Sequence, residues 1–259
     1  LSGCRAGSKL LFNDDASLHS QTRFEQRFSR PEVQVEYYLS NAHVFTAGAG
    51  HIAEQVNADR YRDQPTFNTT YAFLQHEWQP AERLSFIFGG RFDSHSAYQS
   101  QLSPKASVRY QATSWATVKA SAGAGFKAPD FRQLYLNFSN AVAGYSVYGS
   151  EEVAFAMQEY KRQGIIQQVL RDPEAGGAIG AETSVSYQLG LELQPAEKLK
   201  WQFNAFHNEV NGLIDALPFA RKTNGQFLFS YANLGRVFTQ GLEAEIHWSP
   251  LKALNCKLS

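Results

Sequence analysis

The sequence predicts an all-β protein: an antiparallel up-and-down transmembrane β-barrel, about eleven strands long, with short helices in one long extracellular loop. Three observations carry that prediction. Apolar and polar residues alternate with period two along most of the chain. Short polar turns alternate with long polar loops. No stretch approaches the ~20 consecutive apolar residues that a membrane-crossing helix needs.

The period of two means strands, because only a strand sends successive side chains to opposite faces. Val33, Val35, Tyr37 and Leu39 oppose Glu32, Gln34 and Glu36. Leu84, Phe86, Phe88 and Phe92 oppose Ser85, Gly89, Arg91 and Asp93, and Ala106, Val108 and Tyr110 oppose Lys105, Ser107, Arg109 and Gln111. Val118, Ala120 and Ala122 then face away from Thr117, Lys119 and Ser121. The clearest run is Ser184 to Leu193, where Val185, Tyr187, Leu189, Leu191 and Leu193 alternate with Ser, Gln, Gly and Glu. Leu199, Trp201, Phe203 and Ala205 repeat it, and Leu242, Ala244, Ile246 and Trp248 close the series. Roughly ten residues per strand is the length a tilted strand needs to cross a bilayer. The greasy face then meets lipid, and the face carrying Lys105, Arg109, Lys119, Lys198, Lys200, Glu243 and Glu245 lines a wet, charge-paired lumen.

Short turns are predicted at Ser40-Asn41, Gln79 to Glu82, Thr113-Ser114, Gln194 to Glu197 and Ser249-Pro250. Long loops are predicted at Gln55 to Pro65, Ser94 to Gln101, Phe126 to Ala181 and Ile214 to Asn224. Outer-membrane barrels place the short turns in the periplasm and the long loops outside the cell, whereas a soluble sandwich shows no such order. The longest loop is too long to be structureless in a compact protein. Within it, Ser150 to Asp172 carries apolar residues at irregular helical spacing, with Ser150 as N-cap, Gly164 dividing two short helices and Pro173 ending them.

The totals agree. Aromatic residues make up 14% of the chain against a single Met, a balance that suits pleated surfaces. The formal net charge of zero argues against a nucleic-acid surface. Cys4 and Cys256 fit neither a disulfide framework nor a zinc pattern, and read as two unpaired thiols. No charged n-region and apolar run opens the chain, so the expectation is a mature chain or a piece of a longer precursor.

Three stretches carry a family resemblance. Gly123-Ala124-Gly125-Phe126-Lys127-Ala128-Pro129-Asp130-Phe131-Arg132-Gln133-Leu134-Tyr135 contains an aromatic-basic-Ala-Pro box followed by a Leu-Tyr pair. Phe206 to Asp215 and Tyr231-Ala232-Asn233-Leu234-Gly235-Arg236-Val237, leading into Thr239 to Glu245, are the others. Their order and spacing resemble the middle-to-late barrel of TonB-dependent outer-membrane receptors of the siderophore and cobalamin branch, over about Ala42 to Ser259. The resemblance implies part of a 22-stranded barrel around an N-terminal plug, in the bacterial outer membrane, energised through TonB. It makes the whole of 1–259 a partial barrel lacking plug and final strands, and it implies no cofactor. Gly176 to Ser184 keeps only the Glu-x-Ser end of the family's usual run. No His lies between 130 and 181, which weighs against haem as cargo.

The remaining chemistry-bearing patterns have bland accounts. Asp93-Ser94-His95 are adjacent on a strand end and point apart, whereas triads are assembled in space. His51 and Glu54 fall on opposite strand faces, so no shared metal is expected. Gly48-Ala49-Gly50 and Gly123-Ala124-Gly125 open no helix of a βαβ unit, and read as strand glycines that make room for aromatics. Ligand contacts are expected from the longest loop, where Arg132, Tyr135, Tyr145, Tyr148, Tyr160, Lys161 and Arg162 offer cations and aromatic faces to an anionic iron chelate. The expected function is uptake of a ferric siderophore; alternatives are a cobalamin receptor, a passive porin or adhesive barrel, and a soluble β-sandwich binding module.

Overall fold

A computed structural model describes residues 2–11, 18–140, 143–174, 179–251 and 254–259. The first strands are β1 (Ser2–Leu11), β2 (Leu18–Ser29), β3 (Glu32–Ser40) and β4 (His43–Ala58). They continue as β5 (Thr66–Ala81), β6 (Leu84–His95), β7 (Gln101–Gln111) and β8 (Ala116–Lys127). The long connection carries helix α1 (Phe131–Tyr135), β9 (Asn137–Ser139), β10 (Ser146–Tyr148), helix α2 (Val153–Arg162) and β11 (Ile166–Val169). Then come β12 (Glu182–Ala196), β13 (Leu199–Asn211), β14 (Ile214–Lys222), β15 (Phe227–Asn233), β16 (Arg236–Leu251) and β17 (Leu254–Leu258).

Twelve strands form one antiparallel sheet, in which β2 and β3 both lie along the same edge of β4. Ser29 pairs with Ala53 and Glu32 with Gly50, so the two share one register and make a single rail interrupted at Arg30-Pro31. Pro31 has no N–H to give the ladder; its carbonyl still accepts from His51 N–H at 3.1 Å. Counting that rail once leaves eleven described rails, each hydrogen-bonded to its sequence neighbour except where β9–β11 and β14–β15 are looped out.

The register confirms which residues share a face. Leu242 pairs with Ala205, Ala205 with Leu189, Leu189 with Ala120, Ala120 with Val108 and Val108 with Phe86, a continuous apolar row across six strands. Leu242 is 86% exposed and Leu189 56%, which a water-facing sheet would not tolerate in such number. The opposite face holds Lys119 and Lys200 on Glu192 at 2.9 and 3.1 Å, and Lys257 and His247 on Glu245. Part of the lumen face is therefore ion-paired, as alternation implied, while Lys105, Arg109 and Lys198 form no ion pair among the described residues.

Three of the short turns share a local device. In Trp78-Gln79-Pro80-Ala81, Leu193-Gln194-Pro195-Ala196 and Trp248-Ser249-Pro250-Leu251 the strand register shifts across the proline. A bulge is where a strand accepts a residue without an N–H. Pro250 is thus inside β16, not in the turn expected at Ser249-Pro250; the residues after Leu251 up to 253 lie outside the described set. Glycine packing is as expected at Gly48 and Gly50, where a Cβ would stand 2.4 Å from the Phe73 ring and 2.5 Å from that of Tyr71. Gly123 and Gly125 differ: their neighbours are Pro104, Lys105 and Ser184, not aromatics.

Two further expectations need correction, both above the barrel rim. Ile214 to Asn224 is not a loop but strand β14 with its turn to β15. Together with β11, β10 and β9 these form a second sheet in the order β11-β14-β15-β10-β9, in which β10 and β15 run parallel. Ser150 to Asp172 holds one helix and not two. Glu152 occupies the cap without a side-chain bond, and Ser150 Oγ has no partner. Gly164 adopts φ +68°, the left-handed turn that ends a helix. The chain then continues as β11, because Ile166 and Val169 pair with Lys222 and Ala220 of β14. Local spacing shows apolar residues but not the partner strand that claims them.

Candidate functional site

The aromatic-basic-Ala-Pro box turns the chain inward at the barrel rim. Lys127 Nζ meets Glu182 Oε1 at 2.8 Å, and the same carboxylate oxygen accepts from Ile214 N–H at 3.1 Å. Glu182 is 6% exposed, so one carboxylate ties β8, β12 and β14 together. Glu182→Ala leaves a buried N–H and an unpaired Lys127, and is expected to cost roughly 1–3 kcal/mol, read as faster exchange of the Ile214 amide. Pro129 is fully buried and Phe126 packs near Tyr98, ring centroids 6.1 Å apart. Asp130 then caps α1 through a reciprocal capping box with Gln133. Phe131 stacks on Phe67 at 3.9 Å, within a cluster completed by Val56, Leu134, Ile179 and Ile214. Val56 and Phe67 have lumen parity, so the longest loop is anchored on the inner side of the mouth.

Above this anchor, Tyr148, Val153, Ala156, Met157, Phe219, Ala220 and Leu228 form a separate core beneath α2. A buried polar chain runs through it. Lys222 Nζ donates to Gly144 O at 2.9 Å and to Ser146 Oγ at 2.7 Å. Ser146 Oγ lies 3.3 Å from Tyr160 Oη, which lies 3.0 Å from Tyr148 Oη. Burial raises the Tyr148 phenol and lowers Lys222; at Tyr160 burial pushes up as well, but the hydrogen bonds with Ser146, Tyr148 and Ser139 and the charge of Lys222 together bring it down. Lys222→Met strands these acceptors, and the upper sheet is expected to lose about 1–3 kcal/mol, measured by hydrogen exchange of β10 with the barrel amides as internal reference.

The loop between β4 and β5 grips this upper unit. Arg60 lies over the Phe138 ring at 4.5 Å; Arg62 lies over Phe155 at 4.1 Å and pairs with Glu152 at 2.9 Å. Asn233 stitches the other side: its amide group donates to Gly180 O and Gly212 O at 3.1 and 2.6 Å and accepts from Gly180 N–H at 2.8 Å. The residue inside Tyr231-Ala232-Asn233-Leu234-Gly235 thus has a positioning role. The stretch Gly176-Gly177-Ala178 lies outside the described residues.

The expected ligand residues fall into different surroundings. Tyr148 is buried at 6% exposure and bonded to Tyr160, so both serve the upper core, and ligand contact would need that core to open. Tyr145 packs edge-on against Phe138, centroids 6.0 Å apart. Arg162 and Lys161 are exposed at the end of α2, with Arg162 on Glu159. Tyr135 leans on the lower cluster. Arg132 is different: its side chain is 62% exposed, only weakly held by Asp130 at 3.8 Å. Burial lifts the phenols of Tyr61 and Tyr231, and the charges of Arg132 and Asp130 act on both. Tyr61 and Tyr231 pack against the same lower cluster that Phe131 and Leu134 of α1 enter, so a largely exposed guanidinium and two neutral phenols share this part of the mouth. Sequence reading missed Tyr61 and Tyr231, although Arg60-Tyr61-Arg62 in a long loop is a legible cue.

The residues of the other patterns are engaged in contacts of their own. Asp93 is held by Arg91 at 2.6 Å, and His95 stacks on Tyr98. His51 bonds Thr70, while Glu54 has the opposite parity. Cys4 and Cys256 are free and exposed. A hollow of about 650 Å³ opens on the lipid-facing wall between Phe86, Phe88, Tyr187 and Leu189, where acyl chains and not a ligand belong.

A family model described as TonB dependent receptor-like, beta-barrel, matches residues 7–257. The iron-regulated outer membrane virulence protein of Vibrio cholerae is 27% identical over 148 residues, 57% of this chain and 19% of that protein. The siderophore receptor PirA from Pseudomonas aeruginosa superposes with a TM-score of 0.71 at 18% identity, covering 92% of this chain and 42% of its own. A mutant of the ferric enterobactin receptor PfeA from the same organism, in complex with enterobactin, gives 0.69 at 15% identity, covering 98% and 39%. The chain therefore spans less than half the length of these relatives.

Proposed function

Since the chain belongs to the TonB-dependent receptor β-barrel family of the bacterial outer membrane, we propose that it supplies barrel wall and extracellular cover for a receptor that takes up a ferric siderophore, energised through TonB. Family and relatives are receptors and transporters, not enzymes, at that coarse level. The observation that carries the cargo reading is Arg132, a largely exposed cation on α1, the helix whose Phe131 and Leu134 belong to the cluster against which Tyr61 and Tyr231 also pack. Ferric siderophores are commonly anionic and rich in oxygen acceptors. A guanidinium with neutral phenol donors matches both properties.

The test is binding to the complete receptor, purified in detergent, of a panel of ferric siderophores with cobalamin and haem alongside. A ferric siderophore is expected to bind, and Arg132→Ala to weaken it roughly tenfold, the loss of one charge-assisted hydrogen bond. Uptake by cells lacking TonB is expected to stop. Binding of cobalamin alone would move the cargo to that alternative, and uptake without TonB would make the protein a passive barrel. Haem is expected not to bind; growth on haem that depends on this gene would overturn that expectation.

A further inference from the structure

On the lumen wall, in the half of the barrel nearer the short turns, lies a second hollow of about 360 Å³. Two cations, Arg109 and Lys119, and three hydroxyls, Ser85, Ser107 and Ser121, line it, and no carboxylate does. Arg109 and Lys119 sit directly opposite each other on β7 and β8. Like charges so placed repel. Lys119 is relieved by Glu192, which also takes Lys200. The next carboxylate along, Glu243, accepts from Asn204. Among the described residues Arg109 has no carboxylate partner, whereas Lys119 and Lys200 beside it share Glu192.

We propose that this hollow is a carboxylate-binding subsite, with Arg109 as its fork and the serine hydroxyls as supporting donors. A guanidinium binds a carboxylate through two parallel N–H bonds. The hydroxyls can donate to the remaining lone pairs, and an anion here cancels the repulsion between β7 and β8. The carboxylate comes either from a solute entering the lumen or from an Asp or Glu of a polypeptide segment lying in it. The inference is independent of the siderophore reading, since it concerns a different part of the wall and makes no use of Arg132.

Two measurements on the complete receptor separate these sources. In the first, Arg109→Lys provides an amine for zero-length carbodiimide coupling to carboxylates, mapped by mass spectrometry. The Lys119–Glu192 pair serves as the internal positive control. A crosslink from position 109 to an Asp or Glu outside 1–259 identifies a polypeptide carboxylate. In the second, citrate is titrated calorimetrically into the wild-type and Arg109→Gln receptors, each checked for heat-modifiable migration on gels. Citrate binding that weakens roughly tenfold in the variant identifies a solute subsite. Absence of both the crosslink and the Arg109-dependent citrate binding, with the control crosslink present and the barrel folded, overturns the proposal.

Discussion

Replacing Gly149 to Glu174 of the complete receptor with a short Gly/Ser linker is expected to abolish binding of the cognate chelate while the barrel stays folded. The reason is visible at the base of α1. Gly149 N–H donates to Leu136 O at 2.6 Å, Ser150 N–H to Gln133 O at 2.9 Å and Glu151 N–H to Leu134 O at 3.0 Å. These three bonds brace the helix that carries Arg132. Gly149 is close enough that a Cβ would stand 2.2 Å from Leu134 O, so no other residue fits there without moving the backbone. The excision also removes Val153, Ala156 and Met157 from the upper core, leaving Phe219 and Leu228 uncovered. The barrel does not depend on any of this, because β8 and β12 pair directly with each other from Lys127–Glu182 down to Ala116–Leu193. A fall in affinity of at least about a hundredfold is expected, the loss of two charged contacts or more. Heat-modifiable migration on gels should be unchanged. Unaltered affinity would place the ligand site outside this loop altogether.

The second large effect is expected at Leu242→Arg. At 86% exposure this leucine would be freely replaceable in a water-soluble protein. It lies instead in the apolar row that crosses the wall at mid-height, paired with Ala205. A cation in the hydrocarbon is expected to cost roughly 2–4 kcal/mol, and Leu189→Arg should behave alike. Gln188→Arg, one residue along and on the lumen face, should cost far less. Urea unfolding of the receptor in lipid vesicles gives both values. Equal penalties on the two faces would rule out a lipid-facing wall and return the soluble β-sandwich reading.

The two expectations differ in how far the sequence could have supplied them. The lipid row was legible because a strand's face assignment is local: residue parity alone separates Leu189 from Gln188, and neighbouring rails repeat the rule. The turns were legible for the same reason, since Gln194-Pro195-Ala196-Glu197 signals a reversal whatever surrounds it. Even there, the displacement of Pro195 into a bulge within β12 depends on the register of the strand beside it.

The mouth was legible only in outline. Sequence marked the loop, its length and its cations, and the resemblance of Phe126-Lys127-Ala128-Pro129 to a family box told where it leaves the barrel. Nothing in Ser150 to Asp172 shows that Ile166 and Val169 will pair with β14, more than forty residues on, or that Lys222 will reach back to Gly144. Those are long-range contacts, and a short apolar run reads equally as helix or strand until its partner is known. By itself, then, the sequence determined the membrane-spanning wall and its two faces, because a period-two pattern needs no distant information. Only the tertiary structure decided which tyrosines hold the upper core and which pack on the lower cluster beneath α1, because burial and partners are properties of strands brought together across the mouth.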